Sequence, residues 1–97
     1  MGEKTIINKR AINSINSFYK IISEEGYPER AKKFTKELYD FAYQLTPIAK
    51  SFSDCRHKYF AKKNLKCIPY KKNYIFIVSI KNNLIIIHNI VPAKKIR

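Results

Sequence analysis

The feature that most constrains the fold is a pair of apolar runs at residues 74–80 and 84–91. Both runs are rich in β-branched and aromatic residues, which favour an extended backbone. The polar joint between them contains Asn82, and asparagine tolerates the positive φ of a tight hairpin turn. A third, weaker run at residues 65–70 is interrupted by Pro69. The C-terminal half therefore predicts three consecutive β-strands.

The N-terminal half has a different period. After a short strand at residues 5–7, apolar residues recur at three- and four-residue spacing in two stretches, which predicts two amphipathic helices. The first helix follows Asn8, which suits an N-cap, and ends before Gly26, which suits the left-handed position after a helix. The second begins at Pro28, and it ends at Thr46 because a residue that precedes proline disfavours helical angles. The short link between them predicts an antiparallel helical hairpin.

The order β-α-α-β-β-β predicts an α+β fold, with the helical hairpin packed on one face of a mainly antiparallel sheet. We expect a single domain over residues 1–97. The near-continuous apolar character of the strands predicts that both sheet faces are at least partly covered. The expected core residues are Ile15, Phe18, Ile22, Phe34, Leu38, Phe41, Ile77 and Ile86. Residues 48–64 show no clear period and predict a long loop, which in a compact domain is often functional.

Several classes of protein are disfavoured by the sequence. No apolar run reaches the roughly 18–20 residues of a membrane-spanning helix, and the N-terminus has no continuous apolar signal segment. We therefore expect a cytoplasmic protein that does not act at a membrane. Cys55 and Cys67 do not make a disulfide framework and predict two reduced thiols. Together with His57 and His88 they lack metal-ligand spacing, so we expect no metal site and no cofactor.

The positive charge is concentrated in one half of the chain. The net charge is +13, of which residues 1–47 contribute +2 and residues 48–97 contribute +11. A half of one sign repels itself, and proteins usually keep such a field for an anionic partner. A surface that serves only solubility normally mixes both signs. Such a field suits a nucleic acid, an acidic protein or a membrane surface, and of these we expect a nucleic acid or an acidic protein.

Three stretches together resemble a known family. They are "INKRAINSINSFYKII" for a first helix, "ERAKKFTKELYDFAYQLTP" for a second helix, and "NYIFIVSIKNNLIIIHNIVPAKK" for two last strands followed by basic residues. In size, order of elements and these patterns the chain is similar to the RelE/ParE superfamily of type II toxin–antitoxin toxins, which includes plasmid stabilisation proteins. The resemblance implies a cognate antitoxin that covers the basic surface. It also implies one of two targets: RelE-like members cut mRNA in the ribosome, and ParE-like members inhibit DNA gyrase without nuclease chemistry.

The resemblance also implies where activity lies. The family's ribonucleases commonly carry an arginine just after the tyrosine that opens the penultimate strand, and this position is Ile75 here. Basic residues at the end of the last strand are matched by Lys94 and Lys95, whereas Pro92 stands where relatives often have histidine. These two differences favour target binding over RNA cleavage. The toxin assignment itself does not depend on them.

Candidate site residues can also be chosen from local chemistry. His57 lies between Arg56 and Lys58, and flanking cations favour the neutral imidazole that a general base needs. We therefore take His57 and Arg56 as candidate catalytic residues, with a solvated loop histidine as the alternative. His88, inside an apolar strand, predicts a hydrogen-bonded core or interface histidine. The candidate residues for contact with a nucleic acid or another target are Lys58, Lys71, Lys72, Lys94, Lys95 and Arg97.

Three functions remain open from the sequence. The first is a toxin that acts as a ribosome-dependent endoribonuclease, with RNA binding by the basic surface. The second is a gyrase-binding toxin without nuclease activity. The third is a basic nucleic-acid-binding module with no toxic role. The first two require an antitoxin partner and the third does not.

Overall fold

Two helices pack on one face of a four-stranded sheet in the computed structural model, which describes residues 4–45, 63–82 and 84–95. The elements in chain order are β1 (Lys4–Ile7), α1 (Lys9–Glu24), α2 (Pro28–Gln44), β2 (Lys66–Tyr70), β3 (Tyr74–Lys81), β4 (Leu84–Pro92) and a short 3-10 turn, the C-terminal turn (Ala93–Lys95). The predicted α+β class and the order β-α-α-β-β-β are confirmed. Of the long loop predicted at residues 48–64, all but the last two residues lie outside the described residues.

The sheet is mainly antiparallel, as predicted. Its strand order is β1-β4-β3-β2, and β1 alone runs parallel to its neighbour, β4. The β3–β4 hairpin closes at the Lys81–Leu84 pair, and Asn82 adopts the expected positive φ of 57°. Pro69 is exposed in β2, which is an edge strand, where the missing N–H removes no bond to a further strand.

The helix ends follow the sequence signals with one difference. Pro28 opens α2, and Gly26 takes a φ of 100° between the helices. Asn8 occupies the N-cap of α1, but its side chain makes no capping hydrogen bond. Its backbone N–H instead donates to the carbonyl of Ile87 at 2.9 Å. This hydrogen bond fixes the start of α1 to β4. The first turn of α1 therefore lies beside the middle of β4.

The main core lies between the helices and the sheet. On β3 its members are Tyr74, Phe76, Val78 and Ile80, so this strand presents alternate residues to the helices. Ile15 and Leu38 are fully buried, as predicted, and the predicted phenylalanines and Ile22 are partly buried. The prediction for Ile86 is wrong. The register pairs Ile85 with Ile80 and Ile87 with Val78, so these two neighbours of Ile86 enter the core instead.

A bulge in β4 explains the rest of its burial pattern. Ile87 and Ile90 are both buried in the main core although they lie three positions apart, a spacing that places residues of a regular strand on opposite faces. The register shifts between Ile77 and Val78, whose partners are Asn89 and Ile87. His88 is therefore the extra residue, and the added position returns Ile90 to the helix side.

The sheet face away from the helices carries a smaller apolar cluster. Leu65 and Ile77 are buried there, and Cys67, Ile75 and Val91 pack against them. Partial cover on both faces of the sheet is thus confirmed, and the predicted core residue Ile77 belongs to this second cluster.

Cys67 is disulfide-bonded, so the expectation of two reduced thiols is wrong. The chain's other cysteine, Cys55, lies outside the described residues. The sequence around Cys67 does not indicate this bond, because a disulfide depends on which residues the fold brings close together, and spacing along the chain does not determine that. In the part of the chain that the structure describes, no helix is long and apolar enough to cross a membrane.

Candidate functional site

Two basic turns meet at one end of the sheet. The β2–β3 turn, residues 71–73, lies beside the C-terminal turn, and the N–H of Ala93 donates to the carbonyl of Asn73 at 2.9 Å. Together they line a cavity of about 380 Å³, which we call the lysine cleft. Its lining residues are Lys72, Asn73, Tyr74, Pro92, Ala93 and Lys94. The structure thus brings together Lys72 and Lys94, two predicted target-binding residues that are 22 positions apart in the sequence.

The base of the lysine cleft is held by the core. The Tyr74 ring lies 5.2 Å from each of the Phe18 and Phe34 ring centroids, distances at which tilted aromatic rings attract each other. Tyr74 also pairs with Pro92 at the end of the β3–β4 ladder. Phe41 packs 4.8 Å from the Tyr70 ring in the same way. These aromatic residues pack together, so both lysine-bearing turns start from strand ends that are packed against the helices.

Lys71 has a partner within the protein. Its Nζ lies 2.7 Å from Oε2 of Glu37 on α2, and 5.5 Å from the centre of the Tyr70 ring. The hydrogen bond from Lys71 lowers the pKa of the Glu37 carboxyl, and the same bond raises the pKa of Lys71. Burial raises the pKa of the Tyr70 hydroxyl, which also lies 3.4 Å from Glu37. Lys71 is therefore less available to a target than Lys72 is.

The backbone of the β2–β3 turn is unusual for the residues it contains. Lys71 and Lys72 have φ values of 50° and 67°, in the left-handed region. This conformation costs an ordinary residue roughly 1–2 kcal/mol and is normally taken by glycine or asparagine. Two consecutive lysines are thus kept where the backbone favours other residues. Backbone preference does not explain a lysine at either position.

The remaining predicted site residues are only partly covered by the structure. Arg56, His57, Lys58 and Arg97 lie outside the described residues, so their roles stay predictions. Lys95 belongs to the C-terminal turn, and its backbone follows that of Lys94. Within the described ranges, no group of three or more His, Cys, Asp or Glu side chains is placed to hold a metal ion.

His88 does not line the lysine cleft. It is half-buried, and its Nε2 lies 2.7 Å from the hydroxyl of Ser79, so the prediction of a hydrogen-bonded histidine is confirmed. Burial lowers the pKa of His88, which favours the neutral ring. Neither Ser79 nor the bulge that brings His88 within hydrogen-bond distance of it was predicted from the sequence. The polar pair His88–Asn89 inside an apolar run was the available signal, because a bulge interrupts the alternation of a strand.

The same architecture is found among solved structures. A chain of the chromosomal ParDE TA system from P. aeruginosa aligns with a TM-score of 0.77 and 13% sequence identity, over 92% of this chain and 94% of that chain. At this identity the likeness establishes the fold, and the expected ParE-like toxin fold is confirmed. No protein-family model matches the sequence, and no curated protein is significantly similar to it.

Proposed function

We propose that this protein is the toxin of a bacterial type II toxin–antitoxin pair and that it inhibits growth through its basic surface. The observation that carries the proposal is the lysine cleft, where Lys72 and Lys94 meet at the rim of a ParE-like fold. Lys72 keeps a left-handed backbone there. The solved neighbour belongs to a ParDE toxin–antitoxin system, which supports the same role for this chain.

The mechanism that we favour is binding to a target without RNA cleavage, as in ParE-like toxins that inhibit DNA gyrase. Cleavage of RNA without a metal needs a base, an acid and cations that hold the scissile phosphate. Among the described residues, neither a histidine nor a carboxylate lines the lysine cleft. Lysine ammonium groups act as point charges and attract an anionic surface without fixing its geometry.

Ile75 supports the same mechanism. It stands where the family's ribonucleases commonly carry an arginine, and it packs with Ile77 and Val91 in the apolar cluster of the helix-free face. An aliphatic side chain at this position supplies no charge to a phosphate. The ribonuclease alternative then depends on His57 and Arg56, whose substitution tests it directly.

The partner that we propose is an antitoxin with an acidic segment that covers the lysine cleft. Ala93 and Asn73 join the two turns through their backbones, so the cleft is formed before a partner arrives. A preformed site avoids part of the ordering cost of binding. Opposite charge on the antitoxin would steer association and make it sensitive to salt. Binding to the native state alone would also raise the thermal stability of the toxin.

The test uses growth arrest on expression of the full chain. We expect the double variant Lys72→Asn, Lys94→Ala to lose toxicity while remaining folded, because both side chains are exposed. Lys81→Ala is the matched control, since it removes an exposed lysine at the opposite end of β3. Full toxicity of the folded double variant would refute the role of the cleft.

A second assay separates the mechanisms. A gyrase-binding toxin should inhibit DNA supercoiling in vitro and leave ribosome-bound mRNA intact. His57→Ala should then change toxicity little, whereas removal of a general base typically slows a reaction by about 10²–10⁴-fold. Loss of mRNA cleavage in this variant would establish the ribonuclease and overturn the binding mechanism. A protein that binds nucleic acid but arrests no growth would be the non-toxic module.

A further inference from the structure

A second cavity lies on the helix-free face, beside the bulge in β4. It measures about 520 Å³, and we call it the bulge cavity. Its polar lining includes Arg10, Lys63, Ser79 and His88, and its apolar lining includes Ile77 and Val91. None of these residues lines the lysine cleft. The bulge cavity is therefore a separate feature of the molecule, and the proposed toxin activity does not account for it.

The short strand β1 brings α1 to this cavity. β1 ends at Ile7, opposite Ile87, so α1 begins just where the bulge in β4 starts. Beyond Ile87, the side chain of Asn89 bonds to the backbone of β4 and to α1. Its Oδ1 accepts from the N–H of Ile90 at 2.8 Å and from the hydroxyl of Ser14 at 2.6 Å. This corner is thus fixed by hydrogen bonds, and Arg10 in the first turn of α1 reaches the cavity.

The polar groups of the cavity come from different elements. Arg10 belongs to α1, Ser79 to β3 and His88 to β4, and Ser79 and His88 are joined at 2.7 Å. Among the described residues, no acidic side chain lines the cavity. Arg10 and Lys63 are the charged groups that face it, from α1 and from the segment before β2. Lys63 has a further interaction of its own, so Arg10 and the Ser79–His88 pair are the groups available to a ligand.

We propose that the bulge cavity binds a phosphate ester, with Arg10, Ser79 and His88 contacting the phosphate oxygens. Donors that approach from three elements suit a tetrahedral oxyanion better than a planar carboxylate. The guanidinium group of Arg10 also matches phosphate with two parallel N–H bonds. The volume of about 520 Å³ falls in the range of small-molecule sites, about 300–1,000 Å³. The apolar wall at Ile77 and Val91 leaves room for the organic part of the ester.

Binding of this anion should take up a proton. Burial holds the pKa of His88 below its ordinary value of 6.5, and no described carboxylate lies in the cavity to offset this effect. A bound phosphate would favour the charged ring, so the pKa of His88 should rise on binding. By linkage, affinity should increase as the pH falls through the raised pKa of His88 in the complex toward its lower pKa in the free protein. A site without a histidine contact would show no such dependence on the imidazole.

The experiment follows the histidine ring signals of the full-length protein by NMR. The chain has two histidines, so comparison with His57→Ala assigns the signals of His88. The probes are inorganic phosphate, adenosine monophosphate, a short oligoribonucleotide and acetate. We expect a saturable shift of the His88 signals and a raised pKa with a phosphate probe. Saturation by the mononucleotide would identify a small phosphate ester as the ligand. Saturation by the oligonucleotide alone would identify the backbone of a nucleic acid. Both results support binding of a phosphate group in the bulge cavity.

Substitutions make this test specific. Arg10→Gln should weaken phosphate binding by roughly 10–100-fold, the loss expected for a hydrogen bond to a charged group. Lys9→Gln is the matched control, because Lys9 is an exposed neighbour that does not line the cavity. Three outcomes would overturn the proposal: no saturable shift with any phosphate probe, equal binding of acetate, or equal weakening by the two substitutions. Because the lysine cleft is intact in Arg10→Gln, growth arrest and phosphate binding are scored independently.

Discussion

Replacement of Lys72 by glycine should make the protein more stable and less active. Lys72 has a φ of 67°. Glycine adopts this conformation without steric strain, so the substitution should stabilise the folded state by roughly 1–2 kcal/mol. Glycine loses more conformational freedom on folding, which offsets about 0.5–1 kcal/mol. The expected net gain is therefore about 0.75 kcal/mol, the centre of a range of about 0–1.5 kcal/mol, or a rise of about 3–6 °C in the melting temperature of a domain of this size. Growth arrest should weaken because the lysine cleft loses a cation.

The assay pairs thermal unfolding by circular dichroism with growth arrest for each variant. Lys72→Asn should behave like Lys72→Gly, because asparagine tolerates the left-handed region. Lys81→Gly is the matched control: it removes the same charge from a strand end whose φ is not positive. It should lower stability by about 0.5–1 kcal/mol and leave toxicity unchanged. If Lys72→Gly is stabilised and fully toxic, the charge at this turn serves no function in growth arrest. If Lys72→Gly is not stabilised, the left-handed backbone at Lys72 stores no strain that glycine relieves.

Three further predictions follow from other contacts. Ile87→Ala should lower the free energy of unfolding by about 2–5 kcal/mol and Ile86→Ala by clearly less, because Ile87 is fully buried; equal losses in urea unfolding would contradict the register. Lys71→Ala should raise the pKa of Glu37, measured by NMR. A lowered carboxyl pKa stabilises the fold at neutral pH, so the stability difference from wild type should shrink as the pH falls below 4.5. If the target is a nucleic acid, Lys72→Asn should flatten the plot of log K against log salt by about 0.7–0.9, and an unchanged slope would place Lys72 outside the interface.

The sequence was sufficient where a local pattern determines structure. Helical and strand periods, together with Gly26, Pro28 and Asn82, predicted the elements and their turns, since each signal acts within a few residues of the chain. The errors concern features that depend on distant parts of the chain. Whether Ile86 or Ile87 enters the core is decided by the register with β3 and by the bulge at His88, and a continuous apolar run does not reveal the phase of its strand.

In the candidate site, too, some features could be predicted from local sequence and others depend on distant parts of the chain. The cationic residues were predicted from the charge distribution and from the family resemblance, and the structure places Lys72 and Lys94 in one cleft. The contact of Lys71 with Glu37 was not predictable, because it joins α2 to a turn 34 positions away. The Ser79–His88 contact depends on an extra residue in β4, and Arg10 lies beside it because β1 stops at Ile7. Such contacts arise from topology, and no local pattern in the sequence specifies them.

The position of the most apolar segment beside the last lysines has a physical consequence for binding. Tyr74 and Pro92 close the β3–β4 ladder, and the Tyr74 ring is packed against two phenylalanines of the helices. Lys72 and Lys94 each lie two residues from this anchored pair. Their backbones are thus held by the core, whereas lysines on a long unsupported loop would have to be ordered when a partner binds. A cation on a fixed backbone loses less freedom on binding, so two lysines here can contribute more to affinity than their number suggests.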